Sequence, residues 1–215
     1  MSLKNAIKKI FIYSLYLKYK FKLKKIREDQ INLKSWNQNG RPVPPPQIFK
    51  SKIIKLYARK FEIKTFVETG TYMGDTVQEC KRLFSQIYSI ELDTQLFKNA
   101  VKRFQTVGHI SIVNGDSGEK IFEILKTLDK PCLFWLDGHY SEGVTAKGEL
   151  NTPIIKELTH ILDHKLDNHV ILIDDARCFN GKDDYPTLDE LKNFVADKNP
   201  VLQFSVEDDI IRIHK

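Results

Sequence analysis

Val67-Glu68-Thr69-Gly70-Thr71-Tyr72-Met73-Gly74-Asp75-Thr76 is the stretch on which the reading of the whole chain depends. The run Thr65–Glu68 that leads into it is β-branched and aromatic, as a short strand requires. Met73–Phe84, which begins inside it, has apolar residues at helical spacing. Between strand and helix stand Gly70 and Gly74, and glycines there permit a tight turn and a close approach of a ligand to backbone N–H groups. The spacing is not GxGxxG, and no Gly-Lys-Ser/Thr is present. Taken alone, the turn is equally compatible with a plain strand–helix connection.

Working outward, the alternation repeats. Helix Ile48–Phe61 comes first, and strands follow at Thr65–Glu68, Ile87–Glu91, Ile110–Val113, Cys132–Leu136 and Val170–Ile173. Helices are expected at Met73–Phe84, Thr94–Thr106, Ser117–Leu128, Pro153–Asp163 and Leu188–Ala196. Leu202–Val206 and Ile210–His214, around Glu207-Asp208-Asp209, read as an antiparallel hairpin. The expected fold is α/β: a Rossmann-like, seven-stranded, mostly parallel sheet with a C-terminal antiparallel hairpin and helices on both faces. In such sheets ligands bind beyond the carboxyl ends of the strands.

Every one of those parallel strands ends in acid. Glu68 precedes Gly70; Glu91 ends the second strand, 21 residues after Gly70; Asp116-Ser117 follows the third; Asp137 the fourth; Asp174-Asp175 the fifth. A carboxylate at Glu91 can accept hydrogen bonds from both ribose hydroxyls of a nucleoside, although an acidic helix cap is the ordinary alternative and Asp93 or Thr94 fills it more naturally. Asp116 and Ser117 are placed to meet an adenine edge or to cap the next helix.

The series E-x-G-x-x-x-G, strand-end Glu91 and G-D-S resembles the class I S-adenosylmethionine-dependent methyltransferases from about Phe61 to the C-terminus. Within that class ETGTYMGDT is similar to the first motif of metal-dependent sugar (macrocin-type) and catechol-type O-methyltransferases. The resemblance implies a cofactor site at Glu68, Gly70, Thr71, Tyr72, Gly74, Asp75 and Thr76, with Glu91 on the ribose, Asp116 and Ser117 at the adenine, and Asp137 at the methyl end.

Asp137, Asp174 and Asp175 close adjacent strands about 4.8 Å apart, so their oxygens can share one ion. An all-oxygen set suits Mg2+, with Mn2+ as the alternative. The plainer reading pairs Asp174-Asp175 with Arg177 or a lysine. The macrocin-type relatives imply the metal, and Asp175, where catechol enzymes carry Asn, follows the sugar-modifying branch. A hydroxyl acceptor must lose its proton as it attacks, and His139, two residues past Asp137, is the candidate base. Relatives place an acid there or a lysine one residue on, where this chain has Tyr140, so base and substrate-binding roles both stand for His139 and Tyr140. Arg177 is the candidate for an anionic substrate group.

Charge is unevenly divided. The chain of 215 residues has a net +6, yet residues 1–30 carry nine Lys/Arg against Glu28 and Asp29, and the remainder is close to neutral. A whole-protein nucleic-acid footprint is therefore disfavoured. Residues 1–36 read as a basic helical extension, 37–60 as a Pro-rich loop with a leading helix, and 61–215 as the methyltransferase domain. The apolar run Ile10–Leu17 is too short to span a bilayer. Peripheral contact of residues 1–27 with the inner face of a membrane and packing of a helix on the domain stand as alternatives. Three dispersed cysteines, Cys80, Cys132 and Cys178, suit a reducing, cytoplasmic setting. The expected activity is Mg2+-assisted methyl transfer to a hydroxyl of a sugar or glycoconjugate precursor. The expected partner is a small-molecule or glycan acceptor, and a dimer is admissible. Rival readings are a methyltransferase acting on nitrogen or a phosphorylated small molecule, and a non-catalytic binding or membrane-recruitment module.

Overall fold

The computed structural model describes residues 3–137 and 152–215, with side chains omitted at several positions up to residue 22. The chain divides into two compact units, Met1–Phe49 and Lys50–Lys215.

In the first unit, α1 (Leu3–Gln38) runs two residues into the stretch expected as linker. It stops where Gly40 adopts a left-handed backbone, φ 79°. The indole of Trp36 donates to the Pro42 carbonyl at 2.7 Å and packs 4.6 Å from Phe49. The Arg41 guanidinium covers both rings.

The second unit contains α2 (Gln47–Lys60) from Lys50 onward and a seven-stranded sheet. In chain order the rest is β1 (Thr65–Thr69), α3 (Asp75–Cys80), β2 (Gln86–Glu91), α4 (Thr94–Phe104), β3 (Ile110–Asn114) and α5 (Ser117–Leu125). There follow β4 (Cys132–Leu136), α6 (Ile154–Leu162), β5 (Val170–Ile173), a single 3-10 turn, α7 (Leu188–Lys198), β6 (Gln203–Glu207) and β7 (Ile210–His214). The strand order is β3-β2-β1-β4-β5-β7-β6. β1 to β5 are parallel, and β7 runs antiparallel to both β5 and β6, so the last strand lies one in from the edge.

Alternate residues of each strand supply the two faces. Phe134, Leu136, Ile171, Ile173, Ile211 and Ile213 pack with Ile121, Ile124, Leu158, Ile161, Leu191 and Val195 from α5, α6 and α7. On the other face Phe66 stacks on Phe84 at 4.9 Å, and Tyr57 of α2 meets His214 of β7 at 5.6 Å. Chain order reverses between β1 and β4, and that crevice lies at the carboxyl ends bearing Glu68, Asp137 and their neighbours.

Most expected boundaries differ by a few residues at most. The exception is α3, which ends at Cys80 rather than Phe84. Leu83 N–H closes a turn on the Cys80 carbonyl at 2.9 Å, bringing the buried Phe84 onto Phe66 and starting β2 at Gln86. Tertiary packing overrides the periodicity there.

Candidate active site at the carboxyl ends of the strands

The first turn is held from beneath by a buried polar chain. The Thr71 and Ser89 hydroxyls lie 2.7 Å apart, and Ser89 donates to Glu68 Oε2 at 2.5 Å. Thr76 also bonds the Glu68 carboxyl, whose affinity for its proton is pushed up to about 8, chiefly by complete burial. Glu68 and Thr76 thus tie β1 to the start of α3 from below the turn. Gly70 and Gly74 both have positive φ, 79° and 76°, and Tyr72 joins them at 47°.

Glu91 fastens the turn from above. One carboxylate oxygen accepts the Tyr72 N–H at 2.7 Å and the other the Asp93 N–H at 2.9 Å. Each oxygen has a second acceptor position, so two ribose hydroxyls can still be served. Asp93 takes the helix cap, accepting from Gln95 and Leu96 N–H, and Glu91 does not. Asp75 is bonded instead to Arg103 of α4 at 2.9 Å. Asp116 stands at the start of α5, yet its carboxylate makes no capping bond. Ser117 lies beside the fully buried Glu157 of α6.

At the other side of the crevice, Asp137, Asp174 and Asp175 each offer one oxygen, and these atoms lie within 4.8 Å of one another. Asp137 is fixed through its backbone, whose N–H donates to the Thr69 hydroxyl at 3.2 Å. Asp174 and Asp175 are buried. Burial and the neighbouring Asp137 charge push the Asp174 carboxyl up to about 7. Asp175 has a left-handed backbone, φ 56°, and Asp174 Oδ1 accepts its N–H at 2.9 Å.

Two cations attend this group. Lys50, at the start of the second unit, donates to Asp174 and lies 3.8 Å from Asp175. Burial lowers the proton affinity of its ammonium, but Asp174, Asp137 and Asp175 outweigh that and hold it above the ordinary lysine value. Arg177 donates to Asp175 Oδ1 at 2.7 Å and to Asp209, whose other oxygen accepts the Arg177 N–H at 2.8 Å. Arg177 is thus engaged with Asp175 and Asp209 rather than Asp174.

His139 and Tyr140 lie outside the described residues, as does the loop that follows them. Lys50 and Asp209 were not anticipated from sequence. Nothing distinguishes Lys50 from the other lysines of α2, and Asp209 reads as an ordinary hairpin-turn residue. Glu157 was also missed, because a glutamate in the first turn of a helix reads as solvent-facing.

The donor set fits a hard divalent cation: three carboxylates, two of them buried, converge without sulfur or imidazole among the described residues, and an ammonium already lies on them.

No protein-family model and no curated protein matches the chain in sequence. Solved structures match it in fold. The O-methyltransferase TomG of Streptomyces achromogenes, involved in tomaymycin synthesis and in complex with SAM, has 16% identity and a TM-score of 0.54 over 86% of this chain and 87% of that one. An O-methyltransferase from Bacillus cereus in complex with SAH has 13% identity and a TM-score of 0.56, covering 87% and 90%. The SAH-bound Podospora anserina methyltransferase PaMTH1 has 17% identity and a TM-score of 0.52, covering 85% and 86%. The fold is that of the class I S-adenosylmethionine-dependent methyltransferases.

Proposed function

We propose that this chain is an O-methyltransferase, transferring the methyl group of S-adenosylmethionine to a hydroxyl of a sugar or glycoconjugate precursor with help from Mg2+ at Asp137, Asp174 and Asp175. The observation that carries the reading is the convergence of two sites on one sheet end: a turn clamped by Glu91 and, across the crevice, three aspartates within 4.8 Å.

When bound, S-adenosylmethionine supplies an electrophilic sulfonium methyl. When bound, the divalent ion supplies positive charge that favours ionisation of an acceptor hydroxyl. The remaining work falls to the protein. Glu91 offers its second acceptor positions to the ribose hydroxyls, and its hold on Tyr72 N–H presets the turn under the methionine end. Asp116, with no helix cap to satisfy, is available to the adenine amino group. The Thr69 hydroxyl anchors Asp137, which reaches both the methyl end and the carboxylate cluster. His139 and Tyr140, next along the chain, are the candidates for taking the acceptor proton. The polar strand ends favour a polyhydroxylated acceptor over a flat aromatic one.

The test is calorimetric. S-adenosylmethionine and its demethylated product should bind the full chain in EDTA, and Asp137→Ala should abolish Mn2+ binding while retaining most of the cofactor affinity. Methyl transfer to glycosides and nucleotide sugars should exceed transfer to catechols, amines and phosphorylated small molecules. Absence of any cofactor binding would overturn the enzymatic reading altogether.

A further inference from the structure

Within α1, Ile12, Tyr16, Tyr19, Leu23 and Ile26 succeed one another at alternating steps of four and three residues, which keeps them on one side of the helix. All five are exposed, from 39% for Leu23 to 60% for Tyr19. Lys20, Arg27 and Lys34 recur every seven residues along one border of this stripe and are also exposed. The Lys20 ammonium lies 5.3 Å from the centre of the Tyr16 ring. The first 30 residues hold nine basic groups against two acidic ones.

Spacing of this kind suits two occupants, a second copy of the helix or a lipid surface, and charge separates them. An antiparallel pair of copies would face the row Lys20, Arg27 and Lys34 with the same row. In a parallel pair the positions opposite that row are 15, 22 and 29, of which only Asp29 is acidic. Tyrosines at two consecutive seam positions also fit poorly as knobs in a coiled-coil core. At a bilayer surface both features become favourable: tyrosine puts its ring at headgroup level with its hydroxyl in water, and the cations meet anionic lipid. Among the described residues no helix is long and apolar enough to cross a membrane, so the helix would lie along the surface.

We propose that α1 docks on anionic bilayer surfaces through the stripe Ile12, Tyr16, Tyr19, Leu23 and Ile26, with the basic border on lipid phosphates and carboxylates. This docking is independent of methyl transfer, so the two can fail separately.

The full chain should co-sediment with vesicles of phosphatidylcholine and phosphatidylserine, and only weakly with phosphatidylcholine alone. Rising salt should release it. Lys20→Gln with Arg27→Gln should weaken the partition roughly 25-fold, about fivefold per charge. Tyr16→Gln with Leu23→Gln should weaken it at least about tenfold. Circular dichroism and the thermal transition of each variant should match the parent, which excludes loss of fold as the cause. Equal binding to both kinds of vesicle, or no binding, overturns the proposal. So does a stripe variant that turns a dimer into a monomer, read by sedimentation velocity, while leaving vesicle binding intact.

Discussion

Lys50 governs access to the carboxylate cluster. Its ammonium lies on Asp174, so a divalent ion must displace it or share the same oxygens. Lys50→Met should therefore tighten Mn2+ binding by roughly tenfold or more, because a like charge is removed from beside the ion. The same change should lower metal-free stability by about 3 kcal/mol or less, since Asp174, already pushed up to about 7 by burial, would lose its partner and hold a proton in place of its charge. Calorimetric titration and a melt in EDTA read the two effects, and an unchanged Mn2+ affinity would separate lysine and metal. The aspartates were legible in sequence because each follows a strand whose apolar pattern is plain. Lys50 was not, because α2 also carries the exposed Lys52 and the half-buried Lys55. Only the docking of the helix through Ile53, Ile54 and Tyr57 selects which lysine meets the cluster.

At the scale of elements, the turn between β1 and α3 is the most constrained. A Cβ at Gly74 would lie 2.8 Å from the Phe104 ring, and the backbone there is left-handed. Gly74→Ala should cost about 1–2 kcal/mol for the backbone alone, read as a Tm lower by several degrees, with weaker binding of the demethylated cofactor. Gly108→Ala is the control: a Cβ there meets nothing within 4 Å, and its Tm should hardly move. The need for glycine at 74 was legible, since strand, glycine and helix follow one another in ten residues. The early end of α3 was not. The sequence Lys81–Leu83 contains no glycine or proline, and the helix stops because Phe84 is drawn onto Phe66. The left-handed Asp175 was equally hidden, because its conformation depends on the hydrogen bond to Asp174 and on Arg177 beyond it.

For the whole molecule, burying acids at the strand ends has a consequence for stability against pH. Glu68 is raised from 4.5 to about 8, mainly by burial, and Glu157 from 4.5 to about 7 for the same reason. In both, the folded state binds its proton more tightly than the unfolded chain. Their contribution is therefore fully present below about pH 4.5 and is lost as pH rises through 7 and 8. His169 works oppositely at the acid end. Burial and the neighbouring His164 lower it from 6.5 to about 4, so its contribution is present above 6.5 and is lost as pH falls toward 4. Between pH 4.5 and 6.5 the two glutamates lose more than His169 gains, so together these groups place the most stable condition near pH 4.5, with the decline continuing on the alkaline side through pH 8. Melts in EDTA from pH 5 to 9 should trace that decline, and Glu68→Gln should flatten it by keeping the Ser89 and Thr76 contacts without a charge to bury. A parent protein whose Tm rises steadily from pH 6 to 8.5, or a Glu68→Gln variant with the parent's slope, would mean that Glu68 is ionised in the fold. It would then stand as a buried negative charge beneath the turn between β1 and α3.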